Sequence, residues 1–366
     1  MGIRIASSTK GTVEEAVHEI RGQLEGLDAT MVAYFASSVH PPGSISMAME
    51  DAFAGATVFG CSTAGEIVSG RMLTGSVVAM AFDKGTIRDV KVEVLQDLEH
   101  DSFETFKAFE RHFGEKMSRM NPEKYVGIML IDGLSRKEEL LIDRMGDLTN
   151  VHFIGGSAGD DLKFAATSVY ANGGSYRNAA VLALIEPAVP FACIKTQSFR
   201  SLGKTLMVTR ANEATREVLE FNGRPAAAAY ADALGVPVSE APKRFMHNPV
   251  GLVIDGEPYV RSPQQINGTA MVFYCSVTKG MELTLLESTD IIADTAQALG
   301  RARNDLGGLS GLINFNCILR TMELDSRHQC ATYGSLFAEV PTIGFSTYGE
   351  QFIGHINQTA TMLAFR

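Results

Sequence analysis

The chain has 366 residues, 45 % hydrophobic and 20 % charged, which is ordinary globular composition at a length that allows two cores. Its formal charge of −10 argues against nucleic acid or an anionic membrane as the main partner, because both recruit basic faces. Five cysteines, with no CxxC or CxxCH pair, suggest reduced thiols in the cytoplasm and exclude a zinc ribbon and covalently attached haem. No apolar run approaches the roughly 18 residues that span a bilayer, and the first residues lack a signal-peptide core.

In chain order, residues 3–9 read as a strand and 12–24 as an amphipathic helix with Val13, Ala16, Ile20 and Leu24 on one face. A strand at 31–36 ends in the loop Ser37-Ser38-Val39-His40-Pro41-Pro42-Gly43, where His40 is expected to be solvated. Ser44 is placed to cap the next helix. A short approach at 56–59 runs into a glycine-rich turn, Gly60-Cys61-Ser62-Thr63-Ala64-Gly65-Glu66. Strands at 76–82 and 87–94 follow, then Phe103, Phe106, Phe109 and Phe113 at helical spacing, which reads as core.

About 95 residues after the first turn comes a second, Gly155-Gly156-Ser157-Ala158-Gly159-Asp160, with matching flanks: an apolar run at 127–130, a helix at 135–145 and a strand at 178–185. A fixed offset across several elements predicts a duplicated unit, about 29–82 and 125–185. The turn lacks the Gly-Lys-Ser/Thr ending of a P-loop and the spacing of a dinucleotide fingerprint. It reads as close packing of strand ends, with an anion-cradling nest as the alternative.

Beyond Pro187 and Pro190 the composition shifts, and a turn at 221–225 before an alanine-rich helix places a domain boundary at about residue 225. The expected domains are 1–225 and 226–366. In the second, strands are predicted at 270–276 and 281–287, helices at 290–303 and 307–320, and strands at 331–338, 343–348 and 353–365. The fold class is α/β: a duplicated strand–helix–strand unit in the N-terminal domain, then a smaller α+β C-terminal domain.

Read as one strand, the closing segment puts His355, Asn357, Thr359 and Thr361 on one face. On the predicted helix 307–320, four-residue spacing puts Asn316 and Arg320 on one side. With Glu350, these residues form either an internal Arg–Glu pair within an Asn network or a polar pocket. In the pocket, Arg320 clamps a carboxylate, Glu350 meets an ammonium, and Asn316, Asn357 and Thr359 complete the lining. His247 lies between Phe245-Met246 and Pro249-Val250, as a core histidine or as the single proximal ligand that a non-covalent haem iron needs. Cys61 after a strand raises a thiol-nucleophile reading, although nothing fixes a partner base. The chain is read as lacking the class-defining catalytic signatures GxSxG, HExxH and SxxK.

These motifs resemble the FIST sensory proteins. The resemblance rests on the two turns, with Asp161 closing the second, on Asn316-Cys317-Ile318-Leu319-Arg320, and on Gly349-Glu350 followed by His355-Ile356-Asn357-Gln358-Thr359. Their order matches, and the resemblance covers nearly the whole chain. It implies an N-terminal FIST domain and a C-terminal one, together a sensory input module for small ligands, with amino acids among those proposed. Most such modules sit beside an output domain. Here two domains take up the chain, so the signal is expected to pass to a separate protein. Stand-alone members include bacterial nitric-oxide-sensing haemoproteins that regulate histidine kinases or cyclic-di-GMP enzymes. The segment His247-Asn248-Pro249-Val250-Gly251 is similar to a His-Pro element of that branch, with Asn248 interposed, and His355 is the fallback ligand. The resemblance therefore implies a cytoplasmic, non-enzymatic sensor that binds haem through His247 and detects nitric oxide. The alternatives are a haem-free sensor of amino-acid-like ligands and a Cys61 thiol enzyme. A homodimer is compatible with the sensor reading.

Overall fold

The duplicated α/β unit expected in the N-terminal domain is present, and its strand–helix–strand–helix–strand pattern recurs a third time further along the chain. The computed structural model describes residues 2–99, 103–352 and 354–366. Copy one comprises β1 (Ile3–Ser8), α1 (Val13–Leu24), β2 (Ala29–Ser37), α2 (Pro42–Ala52), β3 (Thr57–Thr63), the short pair β4 (Glu66–Val68) and β5 (Arg71–Leu73), and β6 (Val77–Asp83). Copy two comprises β7 (Ile87–Leu95), α3 (Phe103–Phe113), β8 (Val126–Ile131), α4 (Glu138–Leu148), β9 (Phe153–Ser157), the short pair β10 (Val169–Ala171) and β11 (Gly174–Tyr176), and β12 (Ala180–Pro187).

Copy three opens with β13 (Phe191–Gln197) and is then interrupted. The interruption holds β14 (Phe199–Asn212), β15 (Glu217–Phe221), β16 (Arg224–Pro225), α5 (Ala226–Leu234), β17 (Val250–Ile254), β18 (Glu257–Arg261), β19 (Pro263–Asn267), β20 (Ala270–Phe273) and β21 (Glu282–Ser288). The pattern then resumes with α6 (Ile291–Leu306), β22 (Gly311–Cys317), α7 (Ile318–Ser326), α8 (Cys330–Ser335), β23 (Thr342–Thr347), β24 (Glu350–Phe352), β25 (His355–Ile356) and β26 (Thr359–Phe365).

The chain divides into two compact units. The first holds Met1–Lys195, Ala296–Gly354 and Ala360–Arg366, and the second holds Thr196–Thr295 with His355–Thr359. These units do not follow a cut at residue 225, because the second unit is spliced between the first strand and the first helix of copy three.

Within the first unit each copy builds a sheet around a parallel pair, β2/β3, β8/β9 or β22/β23. The orders are β1-β6-β2-β3, β7-β12-β8-β9 and β13-β26-β22-β23. Each sheet is then extended by an arm from another copy: β10-β11 joins β3, β24 joins β9, and β4-β5 joins β23, all antiparallel. Copy one thus lends its arm to copy three, copy three to copy two, and copy two to copy one. The inner faces share one apolar core, in which Phe345 lies 4.6 Å from Phe35 and 5.9 Å from Phe315 between ring centroids. Helices cover the outer faces: α1 and α2 pack on copy one, and α3 and α4 on copy two. Phe106 and Phe109 are core, as the aromatic spacing predicts, while the Phe103 side chain lies outside the described residues.

The second unit is an antiparallel sheet, β18-β17-β21-β14-β15-β20-β19, with β16 on β15. Helix α5 packs into its core through Ala227, Tyr230 and Ala231.

Several sequence expectations change. Residues 307–320 are the strand β22 followed by α7, not a helix. Every residue of β22 is buried, so the period-two alternation that marks a half-exposed strand is missing. Residues 331–335 lie in helix α8 and 336–338 in the turn after it, not in a strand. The closing segment is two strands, β25 and β26, separated by a bend at which Gln358 has φ +51°; position 353 lies outside the described residues. Helix α2 starts at Pro42, two residues before the expected Ser44 cap, because proline is pre-set for the first turn. No described helix is long and apolar enough to cross a membrane.

Candidate functional site

The signature turns stand at the carboxyl ends of the parallel pairs, and copy three supplies a third: Gly344-Phe345-Ser346-Thr347-Tyr348-Gly349-Glu350. In each, glycine lies against the carbonyl of the neighbouring strand. A Cβ would come within 2.0 Å of Tyr34 O at Gly60, 1.8 Å of Met129 O at Gly155 and 2.1 Å of Asn314 O at Gly344. The close-packing reading of the turn therefore holds. The three turns also bond to one another in a closed ring: Ala64 N donates to Ser346 O (3.3 Å), Tyr348 N to Ser157 O (3.0 Å) and Gly159 N to Ser62 O (3.0 Å).

The acid that ends each turn has its own surroundings. Glu66 is buried and accepts from the Thr63 hydroxyl, Ser76 N (3.0 Å) and Ser76 Oγ (2.5 Å). Burial outweighs these donors, and its carboxyl is pushed up to about 7. Glu350, also buried, accepts from the Thr347 hydroxyl. Asp160 accepts from Tyr348 Oη (2.5 Å) and from the amides of Phe164 (2.8 Å), Ala165 (2.6 Å) and Ala166 (2.9 Å). Burial raises it, but those donors win and hold the carboxyl below its ordinary value.

The copies differ most on the outer, helix-facing side of the central strand. Copies one and two place Tyr34, Ala36, Met129 and Ile131 there, opposite the signature glycine and serine. Copy three places Asn314 and Asn316 at the matching positions, opposite Gly344 and Ser346. Asn316 Oδ1 accepts from Arg320 Nε (3.0 Å) and Tyr333 Oη (2.9 Å), and its Nδ2 donates to Thr321 Oγ1 (3.0 Å). Thr321 and Ser346 hydroxyls are 2.8 Å apart, and Asn314 Nδ2 donates to Tyr333 Oη (3.3 Å). Asn314 Oδ1 is buried without a partner among the described residues. Arg320 is 1 % exposed and its guanidinium carbon lies 5.9 Å from the Tyr333 ring centroid. The structure thus brings Asn316 and Arg320 together, across a strand-to-helix junction and not along one helix.

The remaining expected residues belong to the second unit. His355, Asn357 and Thr359 are buried. Gln358 ties their segment down: its Nε2 donates to Met246 O (2.8 Å), and its Oε1 accepts from Ser262 Oγ (2.7 Å). Arg261 Nη1 donates to His355 O (2.9 Å). Asn357 Oδ1 and Arg261 Nε are buried without partners among the described residues. His247 is half-buried in the turn before β17; its N–H donates to Arg244 O (3.0 Å), and its carbonyl accepts from Ser288 N (2.9 Å).

Three other residues differ from expectation. His40 is fully buried, not solvated, and neither ring nitrogen has a partner among the described residues. Burial pushes its imidazole down, against the pull of the Asp161 carboxylate. Cys61 is fully buried in β3, and burial pushes its thiol well up, which is wrong for a thiolate nucleophile. Gly155-Gly156-Ser157-Ala158-Gly159 has the GxSxG spacing that the sequence was read as lacking, and Ser7-Ser8-Thr9-Lys10 and Ser276-Val277-Thr278-Lys279 have the SxxK spacing. Ser157 Oγ donates to Glu138 Oε1 (3.1 Å) and accepts from Gln351 Nε2 (3.0 Å).

A FIST N domain model matches residues 30–224, and a FIST C domain model matches residues 226–353. The chain belongs to the FIST family. Membership carries a sensory, small-ligand-binding role in signalling. The two FIST models meet at residue 225, so the FIST C match takes in strands of the second unit together with copy three. No curated protein matches. A solved structure, the cyanuric acid hydrolase from A. caulinodans, is 11 % identical and covers 76 % of this chain and 99 % of its own; at a TM-score of 0.20 the likeness carries no argument.

Proposed function

We propose that this FIST protein senses amino-acid-like molecules at the carboxyl ends of β22 and β23, and that it is not an enzyme. The observation behind this reading is that Asn314 and Asn316 stand at helix-facing positions where copies one and two carry Tyr34, Ala36, Met129 and Ile131, none of them an amide. Burying amides costs free energy that an apolar side chain would not, so a copy that keeps them is serving something other than packing. Arg320 is suited to a ligand carboxylate, Glu350 to its ammonium, and Asn314 Oδ1 is a spare acceptor. The liganded state would then act on a separate signalling enzyme, such as a histidine kinase or a cyclic-di-GMP enzyme. Titration calorimetry with the proteinogenic amino acids tests the reading. Micromolar-to-millimolar binding that Arg320→Lys weakens at least tenfold supports it; no heat with any of them removes it.

A haem reading, with His247 as axial ligand and nitric oxide as signal, has one observation in its favour. Gln358 fastens the segment carrying His355 to Met246, so both histidines belong to one unit. Yet a macrocycle needs apolar side chains on its faces, and Phe245 and Val250 beside His247 are already packed with Tyr230 in the core. These residues do not fit a haem. An absorption spectrum after haem addition decides between the readings: a Soret band lost in His247→Ala would restore the haem.

A further inference from the structure

Under α4 in copy two lies a cavity of about 250 Å³, walled by Met129, Ile142, Met145, Val151, Ile154 and Phe352. Two of its polar neighbours are engaged elsewhere. Thr149 Oγ1 donates to Met117 O (2.9 Å) and accepts from Val151 N (3.1 Å), and His152 O accepts from Gly127 N (2.8 Å). The side chains of Asn150 and His152 are exposed where the lining meets solvent.

The walls are mostly apolar and the mouth opens to solvent at Asn150 and His152, so water in it is poorly held and an apolar guest displaces it at little cost. A closed apolar cavity of about 150 Å³ already takes benzene. A volume of about 250 Å³ suits one fused pair of rings and excludes a peptide helix or a tetrapyrrole. We infer that this cavity is a second ligand site, for an uncharged, largely apolar small molecule of one or two rings. A single polar group on it would point to His152 or Asn150. The site is independent of the polar network in copy three. It has a route to the rest of the fold nonetheless: Phe352 pairs with Ile154 in the β24–β9 ladder, and the strand that carries Phe352 begins at Glu350. A guest that moves Phe352 therefore pulls on the acid of the third turn.

Gly146 also lines the cavity, and a Cβ added there meets nothing within 4 Å, so the space can be filled from the helix without a clash. Titration calorimetry and thermal unfolding with indole and with toluene test the site in the full chain. The expected result is one-to-one binding with a raised unfolding midpoint. Gly146→Leu should keep or raise the ligand-free midpoint and weaken indole binding at least tenfold. Ile142→Phe, which fills the cavity from another wall, should do the same. Failure of the wild type to bind either probe up to its solubility overturns the inference, as does undiminished binding by folded variants of both kinds.

Discussion

Tyr348 donates its hydroxyl to Asp160 at 2.5 Å, so the aromatic residue of the third turn fastens the acid of the second. The same hydroxyl accepts from Leu162 N (3.0 Å), and the Tyr348 ring stacks on Phe164 with centroids 4.9 Å apart. One side chain thus holds down the loop that follows turn two.

Tyr348→Phe removes the charge-assisted hydrogen bond to Asp160 and the acceptor of Leu162 N, and should cost about 1.5–3 kcal/mol in urea unfolding. Asp160 is held below its ordinary value, so its contribution is present above the unfolded carboxylate pKa and is lost as pH falls through the folded one. The gap between wild type and variant should close as the medium is acidified below the ordinary aspartate range. A gap that stays constant would show that Asp160 is not the partner that matters.

Gly60→Ala and Gly344→Ala each drive a methyl group into a neighbouring carbonyl, at 2.0 and 2.1 Å, and neither strand of the parallel pair can give way. Each should cost more than about 3 kcal/mol. Gly22→Ala, on α1 with open space around it, should instead stabilise by about 0.5–1 kcal/mol. Denaturant midpoints for the three variants check both directions.

Glu66 titrates near 7 in the folded protein against 4.5 for a free carboxyl, so the folded state holds the proton more tightly. Its contribution is fully present below the unfolded value and is lost as pH rises through the folded one, about 3 kcal/mol in all. Glu66→Gln keeps an acceptor for Ser76 and gives Thr63 a donor, without a charge. The variant should lose much of the decline in unfolding free energy that the wild type shows between pH 4.5 and 7. Equal slopes for the two proteins would remove Glu66 as the cause.

Asn314→Leu gives copy three an apolar side chain where copy two has Met129. Stability should stay within about 1 kcal/mol of wild type or rise, since an unpartnered amide oxygen leaves the interior. Amino-acid affinity should fall at least tenfold. A loss of about 3 kcal/mol with binding intact would make the network structural, and the proposed function would lose its main support.

Part of this was readable along the chain. Turns one and two announce themselves by a constant offset of about 95 residues, and their glycines and serines are needed wherever strand backbones touch. The third turn repeats Gly, Ser, Thr, Gly and Glu of the first, yet it falls 189 residues after the second, because an entire antiparallel unit is spliced into copy three. Asn316 and Arg320 were paired by helical spacing and do pair, but by a different geometry. A strand running into a helix happens to bring the same two side chains within 3.0 Å.

Composition and the repeated turn were enough to indicate an α/β protein, since these are local properties that backbone sterics and binary patterning write into the chain. The motif order added the resemblance to the FIST family that the family models show. The exchange of arms among three copies, the burial of His40 and the amide network beside Arg320 came only with tertiary structure. Each depends on which distant segment covers a given face. Residues such as Ser37 and Asp161, 124 positions apart and joined at 2.9 Å, carry no mark of that partnership in the sequence.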